Sequence, residues 1–493
     1  MTARVQAEVE RALALASVGR IEAALTVLAI VTGRADAPWQ ALSIHADMAK
    51  SAGRLEDSLA LSLRLVKVRP QSIPARHNLA STLGDLGRAA EAEGACREAM
   101  ALGGDAPETW LVLARALQSQ NRFDAAEDAY RQALARRPGY GDALRDLSQL
   151  IWMRDADVAA ASAPLDAAIA AAPDDAGFRR IKAKLLEYAG DAEGAYRTLI
   201  AGALDGPGEL AAAQACLTLD PQRALDHANR AALTGAGVPA VMVTQAECLL
   251  ALGRPEEALE PIMALRAREP LNQHVLAHQA TAWRMLGDPL YGRLYDYDAF
   301  VRPYQLETPA GWATLEDYLV DLAVALNGLH RLKTHPVGQS LRGGSQTAAS
   351  LVQSDDPAIR ALFTAIDAPI RAYMAAVGHG DDPLRTRNTG SYRIKGSWSV
   401  RLRPNGFHAD HIHSDGWLSS ACHIELPPAV IGEGREGWLR FGAPPGLPDL
   451  KAEHHVQPQA GTLVLFPSYM WHGTQPFGGD TSRLTLAFDV VPT

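Results

Sequence analysis

Histidines concentrate near the end of this 493-residue chain, where seven of the 15 lie beyond residue 400. On a β-strand, residues i and i+2 point to the same face, so His411 and His413 are expected to project together. His408 and Asp410 would then project from the other face, and only one pair can face a barrel interior. His472 follows an apolar stretch about sixty residues later. One of these pairs together with His472 predicts a metal site, since imidazole and carboxylate are metal ligands.

A basic residue stands at the start of the last apolar stretch, RLTLAFDVV. Arg483 follows His472 by eleven residues, and Thr485 would share its strand face. A guanidinium at this place can pair bidentately with a carboxylate, or it can anchor the strand through an ion pair. Arg342 and Gln346, in the segment HPVGQSLRGGSQT, are further candidates for contact with a substrate.

The order of these residues resembles that of the Fe(II)/2-oxoglutarate-dependent oxygenases. In that family two histidines and a carboxylate hold the iron and leave positions for the 2-oxo acid and O2. More narrowly, RLRPNGFHADHIHSDGWLSSACHIELP and PQAGTLVLFPSYMWHGTQPF are similar to a bacterial branch that is fused to tetratricopeptide repeats. The resemblance covers about 290–493. It implies Fe(II), 2-oxoglutarate as co-substrate, O2 and optional ascorbate, with Arg483 and Thr485 at the far carboxylate of the co-substrate.

The resemblance leaves two choices for the metal ligands. The wider superfamily has His-x-Asp, which selects His408 and Asp410, whereas the narrower branch has His-x-His, which selects His411 and His413. We favour His411, His413 and His472 as metal ligands, and we keep His408 and Asp410 as the alternative pair. The favoured set is a three-histidine site without the usual carboxylate. In that case His408 or Asp410 is expected to orient a ligand imidazole from outside.

Short strands separated by Gly, Pro and Asn turns follow one another from about residue 388 onward. Together with the resemblance they predict a double-stranded β-helix, or jelly-roll, core over 387–493. The preceding segment, 289–386, reads as a linker and helices that buttress the sheet. The fold class is therefore a multidomain α plus β protein, an N-terminal α-solenoid followed by this C-terminal domain.

The N-terminal half repeats itself. Turn residues recur every 34 residues, namely Gly19, Gly53, Gly87 and Asn121, and later Gly253 and Gly287. A small residue follows the first four by five positions, at Ala24, Ser58, Ala92 and Ala126, and Pro70, Pro138 and Pro270 fall 17 residues after a landmark. This pattern resembles the tetratricopeptide repeat, a pair of helices per unit. It predicts a solenoid of seven or eight helical pairs over 1–288, with less regular units between about 143 and 240.

Composition limits the partners. The net charge is -9, with no block of like charge, which disfavours a nucleic-acid partner. No stretch of ~18 uncharged apolar residues occurs, so we expect no membrane span. The cysteines show no CxxC spacing, and the cytoplasm is the expected location. The concave face of a repeat array usually binds a protein or peptide, although self-association into a homo-oligomer is an equal alternative.

These observations favour an Fe(II)- and 2-oxoglutarate-dependent hydroxylase. If the repeats capture a polypeptide, the substrate is a protein or peptide side chain. Two other functions stay open: a non-enzymatic repeat scaffold whose jelly roll binds a metal, and a three-histidine, cupin-like dioxygenase that does not use 2-oxoglutarate.

Overall fold

The computed structural model describes residues 2–235, 238–348, 350–432 and 434–493. Its contacts divide the chain into two compact units, Met1–Leu150 and Ile151–Thr493. The predicted α plus β multidomain class is confirmed, because helices fill the N-terminal part and antiparallel strands dominate the C-terminal part. Among the described residues, none of the helices has both the length and the apolar character needed to cross a membrane.

Helices of the N-terminal part follow one another with short turns between them. They are α1 Ala3–Ser17, α2 Ile21–Thr32, α3 Trp39–Ser51, α4 Leu55–Val68, α5 Ile73–Asp85, α6 Ala89–Ala101, α7 Pro107–Ser119, α8 Phe123–Arg136 and α9 Gly141–Asp155. The series continues with α10 Val158–Ala171, α11 Ala176–Tyr188, α12 Ala192–Ile200, α13 Gly206–Cys216, α14 Pro221–Gly235, α15 Pro239–Ala251, α16 Pro255–Arg268 and α17 Gln273–Leu286.

The remaining part of the second unit mixes helices and strands. Its helices are α18 Tyr291–Leu294, α19 Tyr297–Phe300, α20 Leu315–Asn327, α21 Pro357–Ala365 and α22 Asp367–Val377, with short 3-10 turns at Leu351–Gln353, Arg385–Arg387 and Pro428–Ile431. Its strands are β1 Arg302–Gln305, β2 Leu341–Gln346, β3 Tyr392–His408, β4 Leu418–Glu425, β5 Leu439–Phe441, β6 His454–Val456, β7 Thr462–Pro467, β8 His472–Thr474 and β9 Arg483–Pro492.

The sequence landmarks mark the turn inside each helical pair. Every one of them has a left-handed backbone, with φ of 77° at Gly19, 76° at Gly53, 75° at Gly87 and 59° at Asn121. In each turn the next amide closes a bond to a carbonyl five residues earlier, as from Arg88 to Leu83. The small residues five positions on are buried where two helices meet. The 34-residue period therefore arises from one turn geometry and one close helix crossing.

Replacing Gly87 by alanine is expected to destabilise the first unit by about 1–2 kcal/mol, because a Cβ in the left-handed region meets its own backbone. Nothing lies within 4 Å of that Cβ, so the cost is conformational and not a clash. Gly94→Ala is the matched control, since Gly94 is exposed inside α6 and should gain about 0.5–1 kcal/mol in helix propensity. Chemical denaturation would measure both shifts, and equal signs would contradict the argument.

Two antiparallel sheets form the C-terminal region. The larger has six strands in the order β1-β7-β4-β9-β3-β2, and the smaller has three in the order β6-β5-β8. Along β9 the side chains alternate. Leu484, Leu486, Phe488 and Val490 enter the apolar core, and the intervening residues face a cavity. This alternation places the functional face of β9 opposite its packing face.

One apolar core joins the larger sheet to the helices around it. Tyr318 and Leu322 of α20, and Leu362 of α21, pack with residues of β4, β7 and β9. This agrees with the predicted buttressing helices. The same core includes Leu276 and Ala280 of α17.

We expect the protein to lose stability in acid, because His330 and His335 are buried. Burial lowers the pKa of His330 and of His335 to about 4, below the ~6.5 of an unfolded chain. Below pH ~6.5 the unfolded state therefore takes up protons that the folded state does not, and stability falls by about 1.4 kcal/mol per pH unit for each histidine. Urea midpoints at pH 7.5, 6.0 and 5.0 would test this. The pH dependence of His330→Gln should be shallower than that of the wild type; an unchanged slope would contradict the assignment.

Candidate metal centre and its cavity

The histidine segment does not continue the strand. β3 ends at His408, and His411 then forms an isolated bridge with His472, exchanging two backbone hydrogen bonds of 2.9 and 3.0 Å. The amide of His413 donates to the carbonyl of Ser468 at 3.0 Å. The alternation expected from a continuous strand is therefore wrong beyond His408, and both candidate pairs border the same cavity. Contact with the segment after β7, not strand periodicity, sets the direction of these side chains.

Three imidazoles come together at this bridge. The ligand atoms offered by His411, His413 and His472 all lie within 4.8 Å of one another. The two Nε2 atoms of His411 and His413 are 3.2 Å apart, and the ring centroids of His411 and His472 are 4.2 Å apart. Within the described ranges, no other group of histidine, cysteine or carboxylate side chains is close enough to hold a metal ion.

In each of the three rings, Nδ1 lies close to a hydrogen-bond acceptor. Nδ1 of His411 is 2.8 Å from the carbonyl of Ala409, and Nδ1 of His472 is 2.9 Å from that of Met470. Nδ1 of His413 lies 2.6 Å from Oδ1 of Asp489. These acceptors favour an N–H at Nδ1, and in a neutral ring with that tautomer Nε2 carries a lone pair. Three lone pairs that face one another suit a cation.

Burial keeps the rings of His411, His472 and His408 neutral. It lowers the pKa of His411 to about 3, with a further contribution from the neighbouring His413 ring, and it holds the pKa of His472 and of His408 well below the usual value. Neutral imidazole is the form that binds metals, so protons do not compete for these nitrogens at physiological pH.

The alternative pair is engaged elsewhere. Both oxygens of Asp410 accept hydrogen bonds from Arg440, at 3.0 and 2.5 Å, in a bidentate pair. Nδ1 of His408 lies 3.0 Å from the hydroxyl of Ser340, which is also 3.2 Å from Nε2 of His411. Ser340 therefore links His408 to the cluster.

Asp489 is a site residue that the sequence analysis did not identify. It lies on the cavity face of β9, the face that also carries Thr485 and Arg483. It also accepts a 2.8 Å hydrogen bond from Ser419. A carboxylate behind a ligand histidine fixes the tautomer and raises the basicity of the ring. The i+2 alternation along RLTLAFDVV is the signal that could have found it.

The Asp489→Asn variant is expected to weaken metal binding by about 10–100-fold, because the amide is a poorer acceptor for the N–H of His413. Equilibrium titration with Fe(II) or Zn(II) would measure the change. Asp415→Asn is the control, since Asp415 is mostly exposed and pairs with Lys395. Equal losses in the two variants would show that charge alone, and not the bond to His413, is responsible.

Arg483 is buried in the wall of the same cavity. Its Nη1 donates to the carbonyl of Gly437, and its Nη2 is 3.3 Å from Nδ1 of His423. Nε of Arg483 and Nε2 of His423 are both buried, and neither has a hydrogen-bond partner within the part of the chain that the structure describes. Burial lowers the pKa of Arg483 to about 10, so the guanidinium stays charged at neutral pH. Thr485 lines the cavity on the same face, as the strand pattern predicted.

Trp471, the residue next to the third histidine, is held by α17 and by Tyr295. Nε1 of Trp471 donates to Oγ1 of Thr281 on α17 at 3.0 Å, and the edge of its ring meets His278. The amide of Trp471 donates to the hydroxyl of Tyr295 at 3.0 Å. Helix α17 therefore helps to fix the position of His472.

The cavity has a volume of about 520 Å³ and is open on one side. Both sheets contribute to its wall, together with Glu187 and Tyr188 at the end of α11. Its donor set fits a metal, since three lone pairs converge there. It also fits a carboxylate ligand, because Arg483 lines the cavity and its Nε has no hydrogen-bond partner among the described residues.

Family models match two parts of the chain. Residues 396–489 match the family described as "Putative 2OG-Fe(II) oxygenase", and residues 77–141 and 111–176 match the tetratricopeptide repeat. The chain therefore contains tetratricopeptide repeats and a domain that matches the family described as "Putative 2OG-Fe(II) oxygenase", which confirms the predicted combination. The family implies Fe(II) and 2-oxoglutarate.

Solved structures that are similar to this chain include repeat proteins. One is a tetratricopeptide repeat protein from Parabacteroides merdae, with 14% identity, a TM-score of 0.36 and coverage of 50% of this chain and 98% of that chain. Another is a thermophilic tetratricopeptide protein from Thermus thermophilus, with 20% identity, a TM-score of 0.31 and coverage of 37% and 99%. No curated protein matches the chain.

Proposed function

We propose that this protein is an Fe(II)- and 2-oxoglutarate-dependent oxygenase that hydroxylates its substrate. The observation that carries the proposal is the cluster of His411, His413 and His472, whose Nε2 lone pairs converge beside a buried arginine with an unbonded nitrogen. In this proposal the two sheets form a double-stranded β-helix, with the metal between them.

Each side chain has a defined task in this proposal. His411, His413 and His472 would hold Fe(II), and Arg483 with Thr485 would orient the far carboxylate of 2-oxoglutarate. Iron with 2-oxoglutarate and O2 supplies oxidative decarboxylation coupled to hydroxylation when bound. Ascorbate would serve only to keep the iron reduced. Phe466 and Leu439 contribute apolar surface to the cavity wall.

The three-histidine set of candidate metal ligands is the reason to consider a second function. No carboxylate of the described residues joins the three imidazoles, so a bound Fe(II) would keep its full charge except for the influence of Asp489. A three-histidine dioxygenase that needs no 2-oxoglutarate is therefore the second candidate. The buried, unbonded Nε of Arg483 supports the 2-oxoglutarate reading over it, because such a site needs no guanidinium. A non-enzymatic scaffold remains the third candidate.

The partner of the repeats is also a proposal. Tetratricopeptide repeats mediate protein–protein interactions, so we propose a protein or peptide on the concave face of the array, supplying the hydroxylated side chain. In this proposal the solenoid covers 1–288, the supporting segment 289–386 and the oxygenase core 387–493. The four free, buried cysteines support a cytoplasmic location.

The first experiment is anaerobic equilibrium dialysis of labelled 2-oxoglutarate against protein with and without Fe(II), followed by succinate release in air. Iron-dependent binding together with succinate would support the proposal. Iron binding without 2-oxoglutarate binding, but with substrate-dependent O2 uptake, would move the assignment to the three-histidine dioxygenase. Iron binding without either activity would favour the scaffold.

A further inference from the structure

A second guanidinium lines the cavity, and the proposed function does not use it. Arg342, on β2, lies two residues after Ser340, the residue that contacts His408 and His411. Its guanidinium lies over the ring of Tyr188, 5.3 Å from the ring centroid, and its Nη1 donates to two backbone carbonyls, those of Gln339 and Leu341, at 2.9 Å each. These contacts hold the planar group in one orientation.

The other two nitrogens of Arg342 have no hydrogen-bond partner among the described residues. Nε and Nη2 form no hydrogen bond with any described residue, and neither atom is fully buried. Within the described part of the chain, no carboxylate lies at ion-pair distance from Arg342. Glu187, which is close enough to influence its charge, is 3.1 Å from Lys184.

The acidic groups in the cavity wall are already paired. Asp410 binds Arg440, Asp415 binds Lys395 at 2.9 Å, and Asp489 binds His413. Among the described lining residues, Arg342 and Arg483 are therefore the two arginines without a carboxylate partner.

The co-substrate, 2-oxoglutarate, can pair a carboxylate with only one of these two arginines. This step rests on the proposed function, in which one carboxylate of 2-oxoglutarate faces the metal and the other binds Arg483. We propose that Arg342, stacked on Tyr188, forms a second anion site that binds a carboxylate of the substrate to be hydroxylated. We refer to Arg342 and Tyr188 as the guanidinium subsite.

The geometry suits a carboxylate. A guanidinium fixed through one nitrogen presents its remaining N–H groups as a fork that matches two carboxylate oxygens, which an ammonium group would not do. Burial lowers the pKa of Arg342, so the group is partly desolvated before any ligand arrives, and its attraction for an anion is less screened. Trp398, whose ring is 5.6 Å from that of His413, supplies an apolar surface beside the cluster.

The carboxylate could belong to a polypeptide or to a small acid. Tyr188 and Glu187 come from α11 of the repeat series, so a chain held by the repeats would meet the guanidinium subsite at the edge of the cavity. A small carboxylic acid would use the same fork. The experiment therefore has one arm for each source.

Both arms use full-length protein with Zn(II) and saturating 2-oxoglutarate, so that binding is measured without turnover. The first arm selects from a random-sequence peptide pool and scores Asp and Glu against Asn and Gln among the captured peptides. The second arm titrates a panel of small di- and tricarboxylic acids by calorimetry. Arg342→Gln is compared with Arg403→Gln, which removes the same charge from an exposed position of β3 outside the cavity.

We expect the binding of the captured peptides, or of one of the small acids, to require a carboxylate on the ligand. We expect Arg342→Gln to weaken that binding by about tenfold or more. Arg342→Lys should restore only part of it, and Arg403→Gln should leave it unchanged. If Arg342→Gln binds these ligands as tightly as the wild type in both arms, the inference is overturned. A loss of 2-oxoglutarate affinity in Arg342→Gln would also overturn it, by assigning Arg342 to the co-substrate. If the wild type binds no 2-oxoglutarate, the proposed function itself fails.

Discussion

The His472→Ala variant is expected to lose at least about a hundredfold in metal affinity and all metal-dependent activity, because two imidazoles cannot replace a three-point site. His472 is buried, and its ring packs against those of His411 and Phe466. The measurement is a metal titration followed by elemental analysis of the desalted protein.

A second histidine tests whether the loss belongs to the cluster. His455→Ala changes the same residue type on β6, outside the three-imidazole group. It should bind metal as the wild type does. If His455→Ala loses as much metal as His472→Ala, or if His472→Ala keeps a stoichiometric metal, the cluster is not the metal centre. Circular dichroism of both variants would exclude unfolding as the cause.

The Arg483→Gln variant is expected to keep its metal and to bind 2-oxoglutarate about 10–100-fold more weakly, because a charge-assisted bidentate pair is lost. Arg483→Lys should recover little, since an ammonium group does not present the same fork. Dialysis with labelled 2-oxoglutarate at saturating Fe(II) would measure both.

The alternative role of Arg483 gives a different result. If it only anchors β9, through Gly437 and His423, the substitution should lower the denaturation midpoint and leave the affinity of any remaining folded protein unchanged. Unchanged 2-oxoglutarate affinity in a stable Arg483→Gln variant would remove Arg483 from the co-substrate site. Thr485→Val, on the same strand face, should show a smaller loss in the same direction.

Part of this structure could be predicted from local sequence because local geometry demands particular residues. A left-handed turn after each first helix selects glycine or asparagine, so Gly53 and Asn121 could be placed without knowledge of the fold. Histidine type and order likewise indicated the cluster of His411, His413 and His472.

Other features depend on contacts between distant parts of the chain. Asp489 lies 76 residues from His413, and only the sheet topology brings the two together. The pairing of Asp410 with Arg440 across 30 residues is equally non-local. The end of β3 at His408 depends on the bridge between His411 and His472, which no local pattern announces.

The contact of α17 with the sheet limits how this protein can be shortened or rearranged. Composition changes near residue 288, yet a fragment that begins there would expose the core surface now covered by Leu276 and Ala280 and would leave Trp471 without Thr281. Expression of the C-terminal region alone should therefore include α17. For the same reason, an insertion or deletion that shifts α17 would also displace Trp471 and, with it, the adjacent His472.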